Sequence, residues 1–245
     1  MSDSPEHRPI LVLQHAGCEP PGVYEDELLG RGIPFLRVLL DEHERLPDWR
    51  AFAGILAMGG AISVNDDGPH PWLVGEKRLI AEAVAAGVPY WGVCLGAQLL
   101  AASVGARVWR GEQAELGVLP VELTAAAAWD PVFAGAPASF QTLQWHGETY
   151  ELPPGATQLA RSRTYEQQAF VFGRAYALQF HLEVDSRLAG EWMREPAFVQ
   201  ELQQAHGADA PAKLLADVDA AERDTVALAR TLFSRWLLDV VGYRE

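Results

Sequence analysis

Four short, almost wholly apolar runs constrain the fold of this chain more than any other feature of its sequence. They are PILVLQH (9–15), PFLRVLL (34–40), FAGILAMGG (52–60) and VPYWGVC (88–94). Stretches with helical spacing of apolar residues lie among them at 22–32, 70–86 and 95–105, and each is stopped by glycine: Gly32, Gly87 and Gly105. Strand–helix–strand alternation of this kind calls for a parallel sheet with helices on both faces. Residues 106–180 differ. Segments such as GVLPVELT, TQLARS, AFVFG and AYALQF, with turn residues between them, read as mostly β, with hairpins that continue or abut the sheet. From about residue 185 the pattern is helical. The expectation is an α/β fold: an open, mostly parallel sheet flanked by helices over residues 1–190. A helical C-terminal extension over 191–245 packs on the same domain. The acidic faces of those last helices read as a solvated shell, and their apolar stripes would support a homo-oligomer.

Composition narrows the function classes. Of 245 residues, 49% are apolar, enough for a sizeable core. A net charge of −14 argues against nucleic acid or an anionic membrane as partner. No apolar run reaches membrane-spanning length, and MSDSPEHRPI lacks a signal-peptide core. Two cysteines, Cys18 and Cys94, do not make a disulfide framework. The expected location is therefore cytoplasmic and reducing.

Cys94 sits where a strand pattern turns into a helix pattern, in Gly92-Val93-Cys94-Leu95-Gly96. This is the cysteine counterpart of the G-x-S-x-G nucleophile elbow. Flanking glycines permit a tight turn, the turn exposes the side chain at the C-terminal edge of the sheet, and a helix N-terminus favours a thiolate. A buried structural cysteine is the plain alternative. A nucleophile needs a base and a group that orients the base. ALQFHLEV (177–184) supplies His181 and Glu183 at i and i+2, on the same side of an extended chain. The backbone N–H of Leu95, just after the cysteine, is one candidate oxyanion donor. MGGAIS (58–63) offers a second at the same sheet edge, and Gly59 and Gly60 let backbone approach a ligand closely. Glycine also makes a peptide flip there sterically cheap, which leaves open an oxyanion loop that is not preformed. Cys18 reads as a bystander thiol, and Asp66 and Asp67 as turn and capping residues.

These pieces together resemble the class I, triad-type glutamine amidotransferase family. The matching stretches are AMGGAISV (57–64), GVCLGAQLLA (92–101), LQWHGETYELPPGA (143–156) and ALQFHLEV. LVLQHAGCEPPG (11–22) and the WHGET block are most similar to its stand-alone, GMP-synthase-like branch. The resemblance implies a flavodoxin-like fold, a catalytic Cys94–His181–Glu183 triad, and oxyanion donors at the backbone of Gly60 and Leu95. It places Gln98 near bound glutamine and the WHGET loop, with His146 and Glu148, beside the substrate. Trp145 either walls that pocket or covers the sheet edge. Leu182 stands where many synthase-linked members carry proline. No cofactor is implied. No zinc-type histidine pairing and no P-loop is present, so no metal is expected either.

Such enzymes usually pass ammonia to a synthase domain or subunit. The residues beyond the amidotransferase-like region are too few and too helical for an ATP-dependent synthetase. Three readings follow. The first is a glutamine amidotransferase or glutaminase with a separate ammonia-accepting subunit. The second is a γ-glutamyl peptidase or hydrolase using the same triad, and the third a non-catalytic binding or redox-sensing protein on this scaffold.

Overall fold

The apolar runs form the parallel half of a nine-stranded sheet in a computed structural model of the chain, which describes residues 8–42 and 45–244. Its first four strands are β1 (Ile10–Gln14), β2 (Phe35–Leu39), β3 (Gly54–Ala57) and β4 (Tyr90–Val93). The remainder are β5 (Val108–Leu123), β6 (Ser139–Tyr150), β7 (Thr157–Arg161), β8 (Ala169–Phe172) and β9 (Ala175–Leu178). The order is β2-β1-β3-β4-β9-β8-β7-β5-β6. Pairs from β2 to β9 are parallel, and pairs from β9 to β6 are antiparallel. The sheet expected from the first hundred residues is thus continued by the hairpins of 106–180.

Alternation along each parallel strand explains the unbroken apolar runs, because both faces are covered. Ile10 and Val12 of β1 face one side with Leu56 and Trp91, under α1 (Val23–Gly30) and the C-terminal part of α6 (Ala210–Arg235). Leu11 and Leu13 face the other with Ile55 and Tyr90, under α2 (Trp72–Ala85) and α3 (Leu95–Ser103). Gly87, at φ 79°, ends α2 and turns the chain into β4.

The C-terminal helices are more than a solvated shell. Phe233 of α6 and Trp236, in the π-helical turn after it, are 0% exposed. Both rings pack on Trp91 of β4, at 5.7 and 5.9 Å. The physical reason is coverage: eight-residue α1 is too short to bury that face of a wide sheet alone. Two further helices, α4 (Ser186–Trp192) and α5 (Pro196–His206), build a separate apolar cluster with Leu116 and Leu143 of the β5–β6 hairpin. No helix among the described residues is long and apolar enough to cross a membrane.

If residues 191–245 are integral to one domain, Phe233→Ala should cost about 3–5 kcal/mol. Urea unfolding measures this; a loss below about 1 kcal/mol would mark the helix as a surface appendage.

Candidate active site

The turn from β4 into α3 is strained. Cys94 has φ 50° and ψ −106°, and among the described residues it is the one non-glycine at positive φ. Such a conformation costs of order 1–3 kcal/mol and persists only when its surroundings enforce it. Here the Cys94 N–H donates to the Leu178 carbonyl of β9 at 2.8 Å, and its own carbonyl accepts from Ala97 and Gln98 at 3.0 and 3.1 Å. The flanking glycines are required by contact. A Cβ on Gly96 would stand 2.2 Å from the Ala57 carbonyl oxygen, and one on Gly92 2.5 Å from the Gly96 oxygen.

The chain leaving β9, the parallel neighbour of β4, carries His181 and Glu183. Its backbone is held on both sides. The His181 N–H donates to the Leu143 carbonyl at 2.9 Å, and Thr142 Oγ1 donates to the His181 carbonyl at 2.7 Å. The Val23 N–H donates to the Glu183 carbonyl at 3.0 Å, so the start of α1 clasps this segment. His181 Nδ1 lies 2.7 Å from Glu183 Oε1. Nε2 has no hydrogen-bond partner, and Trp192 packs edge-on against the ring at 5.2 Å. Burial works against a charged His181. The Glu183 carboxylate and the Cys94 sulfur outweigh it and hold the imidazole pKa well above its usual value.

Cys94 and His181 meet in a cavity of about 430 Å³. Gly60, Gln98, Trp145 and His146 line it as well. Gly59 lies just behind, where an added Cβ would stand 3.3 Å from His181 Cε1. Leu95 begins α3, so its N–H is one of the helix donors without an intrahelical acceptor. Gln98 donates its amide nitrogen to Gln179 Oε1 at 3.1 Å. The Trp145 carbonyl accepts from the Cys94 thiol at 3.7 Å. Its indole N–H donates to Glu201 Oε2 at 2.9 Å, and its ring packs on Trp192 and Phe198, so it walls the pocket. His146 presents only its ring, because the protein engages both nitrogens. Nδ1 lies 2.9 Å from the Glu148 carbonyl, and Nε2 lies 3.2 Å from Glu115 Oε2.

The other residues weighed from sequence divide plainly. Cys18 is half-buried, and burial, with Glu19 and Glu195 nearby, pushes its thiol up to about 11, far from a reactive range. Asp66 Oδ2 accepts from the Ser63 N–H at 2.8 Å, closing a turn, although the residue also lines the cavity. Asp67 pairs with Lys77 of α2 at 2.7 Å.

Sequence reasoning missed Glu19 and the buried pair His15–Glu76. Glu19 lines the cavity yet is only 6% exposed. Burial drives its carboxyl up to about 7; the charge of His181 pulls down, and Glu183 pushes up. No pattern in the loop CEPPG marks it. Glu76 did leave a signal. It falls on the apolar stripe of α2 with Leu73, Ile80 and Ala83, a core-facing position where a lone carboxylate needs a partner.

The sequence profile of the family described as "Glutamine amidotransferase class-I" matches residues 31–200. A glutamine-hydrolyzing GMP synthase of Thermomicrobium roseum is 37% identical over 188 residues, 74% of this chain and 32% of that protein. The chain thus spans about a third of that relative's length. One subunit of a glutamine-hydrolyzing GMP synthase from Pyrococcus abyssi is 32% identical over 160 residues, 64% of this chain and 84% of that one. The crystal structure of a glutamine amidotransferase from Thermotoga maritima superimposes with a TM-score of 0.86 at 31% identity, covering 94% of this chain and 98% of that one. Another, from Methylobacillus flagellatus, gives 0.87 at 30% identity, covering 97% and 96%.

The raised Glu19 carboxyl has a sign that stability can test. Its pKa moves from 4.5 up to about 7, so the folded state holds the proton longer. Stability contributed by this group is fully present below 4.5, falls as pH rises, and levels off above 7. Glu19→Gln removes that loss. It should stabilise the protein by about 3 kcal/mol at pH 8 and by little at pH 4.5. Urea midpoints at the two pH values give the answer; equal effects at both would contradict the shift.

Proposed function

The chain belongs to the class I glutamine amidotransferase family, and from that premise we propose that it hydrolyses the side-chain amide of glutamine through a thioester on Cys94. The observation that carries this reading is the sulfur of a strained elbow facing one cavity with His181, whose Nδ1 is held by Glu183 and whose charge the Cys94 sulfur favours. Cys94 is the nucleophile, His181 the acid and base, and Glu183 the group that fixes the imidazole.

The steps follow from these roles. Cys94 attacks the amide carbon as the thiolate, its proton having passed to His181 Nε2, and the carbonyl π electrons move onto oxygen. The backbone N–H groups of Gly60 and Leu95 hold the resulting oxyanion. Collapse breaks the C–N bond, His181 protonates the leaving nitrogen, and ammonia departs. His181 then takes a proton from water as the water attacks the thioester, and a second collapse releases glutamate and the cysteine. Loss of one oxyanion donor would lower the rate roughly 100- to 1000-fold. Arg110, on the cavity wall, suits the α-carboxylate of the substrate, and Glu148 and Glu201 suit its ammonium group. A separate protein that accepts the ammonia is part of this reading, and the name of the Pyrococcus relative, one subunit of a synthase, supports it.

The cavity volume supports a second substrate class. About 430 Å³ falls in the range that takes a whole small molecule, so a γ-glutamyl amide with a larger leaving amine also fits. The deciding assay compares ammonia release from glutamine with amine release from γ-glutamyl dipeptides, using the isolated protein. Fast dipeptide turnover with negligible glutamine hydrolysis would make the protein a γ-glutamyl hydrolase.

Variants test the roles. Cys94→Ala should abolish turnover and labelling by a γ-glutamyl-directed alkylating analogue, while Cys18→Ala leaves both intact. His181→Asn should lower kcat by roughly 10²–10⁴-fold. Glu183→Gln should cost less, since it disturbs orientation and leaves the base in place. Stoichiometric labelling of Cys94→Ala would falsify the nucleophile assignment.

A further inference from the structure

Behind the glycine pair lies a buried ionisable pair that the hydrolytic steps leave unused. His15 follows β1, and Glu76 projects from α2. Both side chains are 0% exposed, with His15 Nε2 at 2.7 Å from Glu76 Oε1. The other ring nitrogen, Nδ1, reaches two backbone carbonyls, Met58 at 2.9 Å and Gly59 at 3.1 Å. A carbonyl only accepts, so Nδ1 carries a hydrogen. Trp72 stacks on the ring at 5.9 Å and fixes its plane. Burial opposes charge on His15, but Glu76 and the Gly59 carbonyl outweigh it and raise its pKa.

This contact decides which way a peptide faces. In a trans peptide the carbonyl and the following N–H point in opposite directions. Gly60 lines the cavity and His15 does not. The Gly59 carbonyl therefore turns inward to His15, and the Gly60 N–H turns to the cavity side. The same ring ties the loop to the elbow, since the Met58 carbonyl also accepts from the Gly96 N–H of α3 at 3.1 Å. Gly60 is gripped between the two. A Cβ there would stand 2.9 Å from His15 Cβ and 2.8 Å from Leu95 Cδ2. Glycine permits either face of this peptide, and His15 selects one.

We propose that His15, braced by Glu76, is a positioning residue that locks the Gly59–Gly60 peptide with its N–H toward the cavity, so the oxyanion site is formed before substrate arrives. The proposal rests on the hydrolytic reading of Cys94. His15 touches no reacting atom. In place of the open question of a flipped loop stands a stated device: one imidazole N–H shared by two carbonyls.

The test separates oxyanion stabilisation from general disturbance of the site. His15→Leu/Glu76→Leu replaces the pair by apolar groups, a change that folds tolerate because no lone charge is left buried. His15→Asn/Glu76→Gln keeps an N–H donor at the Nδ1 position and likewise leaves no lone charge buried. With a γ-glutamyl anilide, the apolar double variant should lose roughly 100- to 1000-fold in kcat with little change in KM. His15→Asn/Glu76→Gln should recover to within about tenfold of the natural protein. Alkylation of Cys94 by iodoacetamide is a displacement with no oxyanion, so its rate and pH profile should stay unchanged in both. A crystal structure of the apolar double variant should show the Gly59–Gly60 peptide turned over. The proposal is overturned if the apolar double variant keeps its kcat, if alkylation falls in step with acyl transfer, or if the peptide keeps its orientation. Should the natural protein alkylate normally yet turn over neither glutamine nor the anilide, the hydrolytic reading fails. The peptide orientation in the apolar double variant then still decides the clamp.

Discussion

The approach of Gly96 to the Ala57 carbonyl sets the position of everything around the cavity. With no side chain between them, the first turn of α3 seats directly on the end of β3. Two hydrogen bonds hold it there: Gly96 N–H to the Met58 carbonyl at 3.1 Å, and Tyr90 Oη to the Gly96 carbonyl at 2.7 Å. A helix seated that closely leaves one residue for the turn from β4, and that residue is Cys94 at φ 50°. Strain at the sulfur-bearing residue is thus the consequence of a contact made elsewhere. The same contact brings Met58 and the glycine pair alongside the N-terminus of α3.

The rest of the site comes from strand order. Placing β9 beside β4 delivers His181 and Glu183 to the sheet edge where Cys94 emerges. The antiparallel half supplies the walls. Trp145 and His146 lie on β6, and buried side chains from β5 and the loop before β8 hold the histidine ring. Two carboxylate–histidine pairs flank the glycine loop, Glu183 with His181 on one side and Glu76 with His15 on the other. They resemble each other in distance and burial, yet in one a single ring nitrogen is held by the scaffold and in the other both are. On the proposed reading, that difference divides reactive chemistry from scaffolding.

Much of this was legible in the sequence, for identifiable reasons. Parallel strands buried on both faces read as unbroken apolar runs, and all four lie where those runs predict. The elbow was legible because strand pattern, cysteine and helix pattern are contiguous, and His181 and Glu183 because they share one side of an extended segment. His15 and Glu19 were not legible. Each acts through a neighbour about 40 or more residues away, Gly59 in both cases and Glu76 or His181 besides, and no local period records such a pairing. The C-terminal helices misled for another reason. Their acidic outer faces dominate the pattern, while a few large side chains, Trp192, Phe198, Phe233 and Trp236, do the burying.

Those late aromatic residues also impose an order in time. Trp236 packs against Gly54 of β3, where an added Cβ would touch its ring at 3.2 Å, and against Trp91 of β4. Trp192 donates its indole N–H to the Cys18 carbonyl at 2.9 Å, spanning 174 positions of chain. Synthesis proceeds from the N-terminus and contacts of this span close last. On the ribosome, the thiol of residue 94 is therefore made long before its histidine, its tryptophan wall or the helix that seals the sheet beneath it. Until Trp192 and the helix that carries Phe233 have cleared the exit tunnel, the nascent chain holds a cysteine but no finished pocket around it.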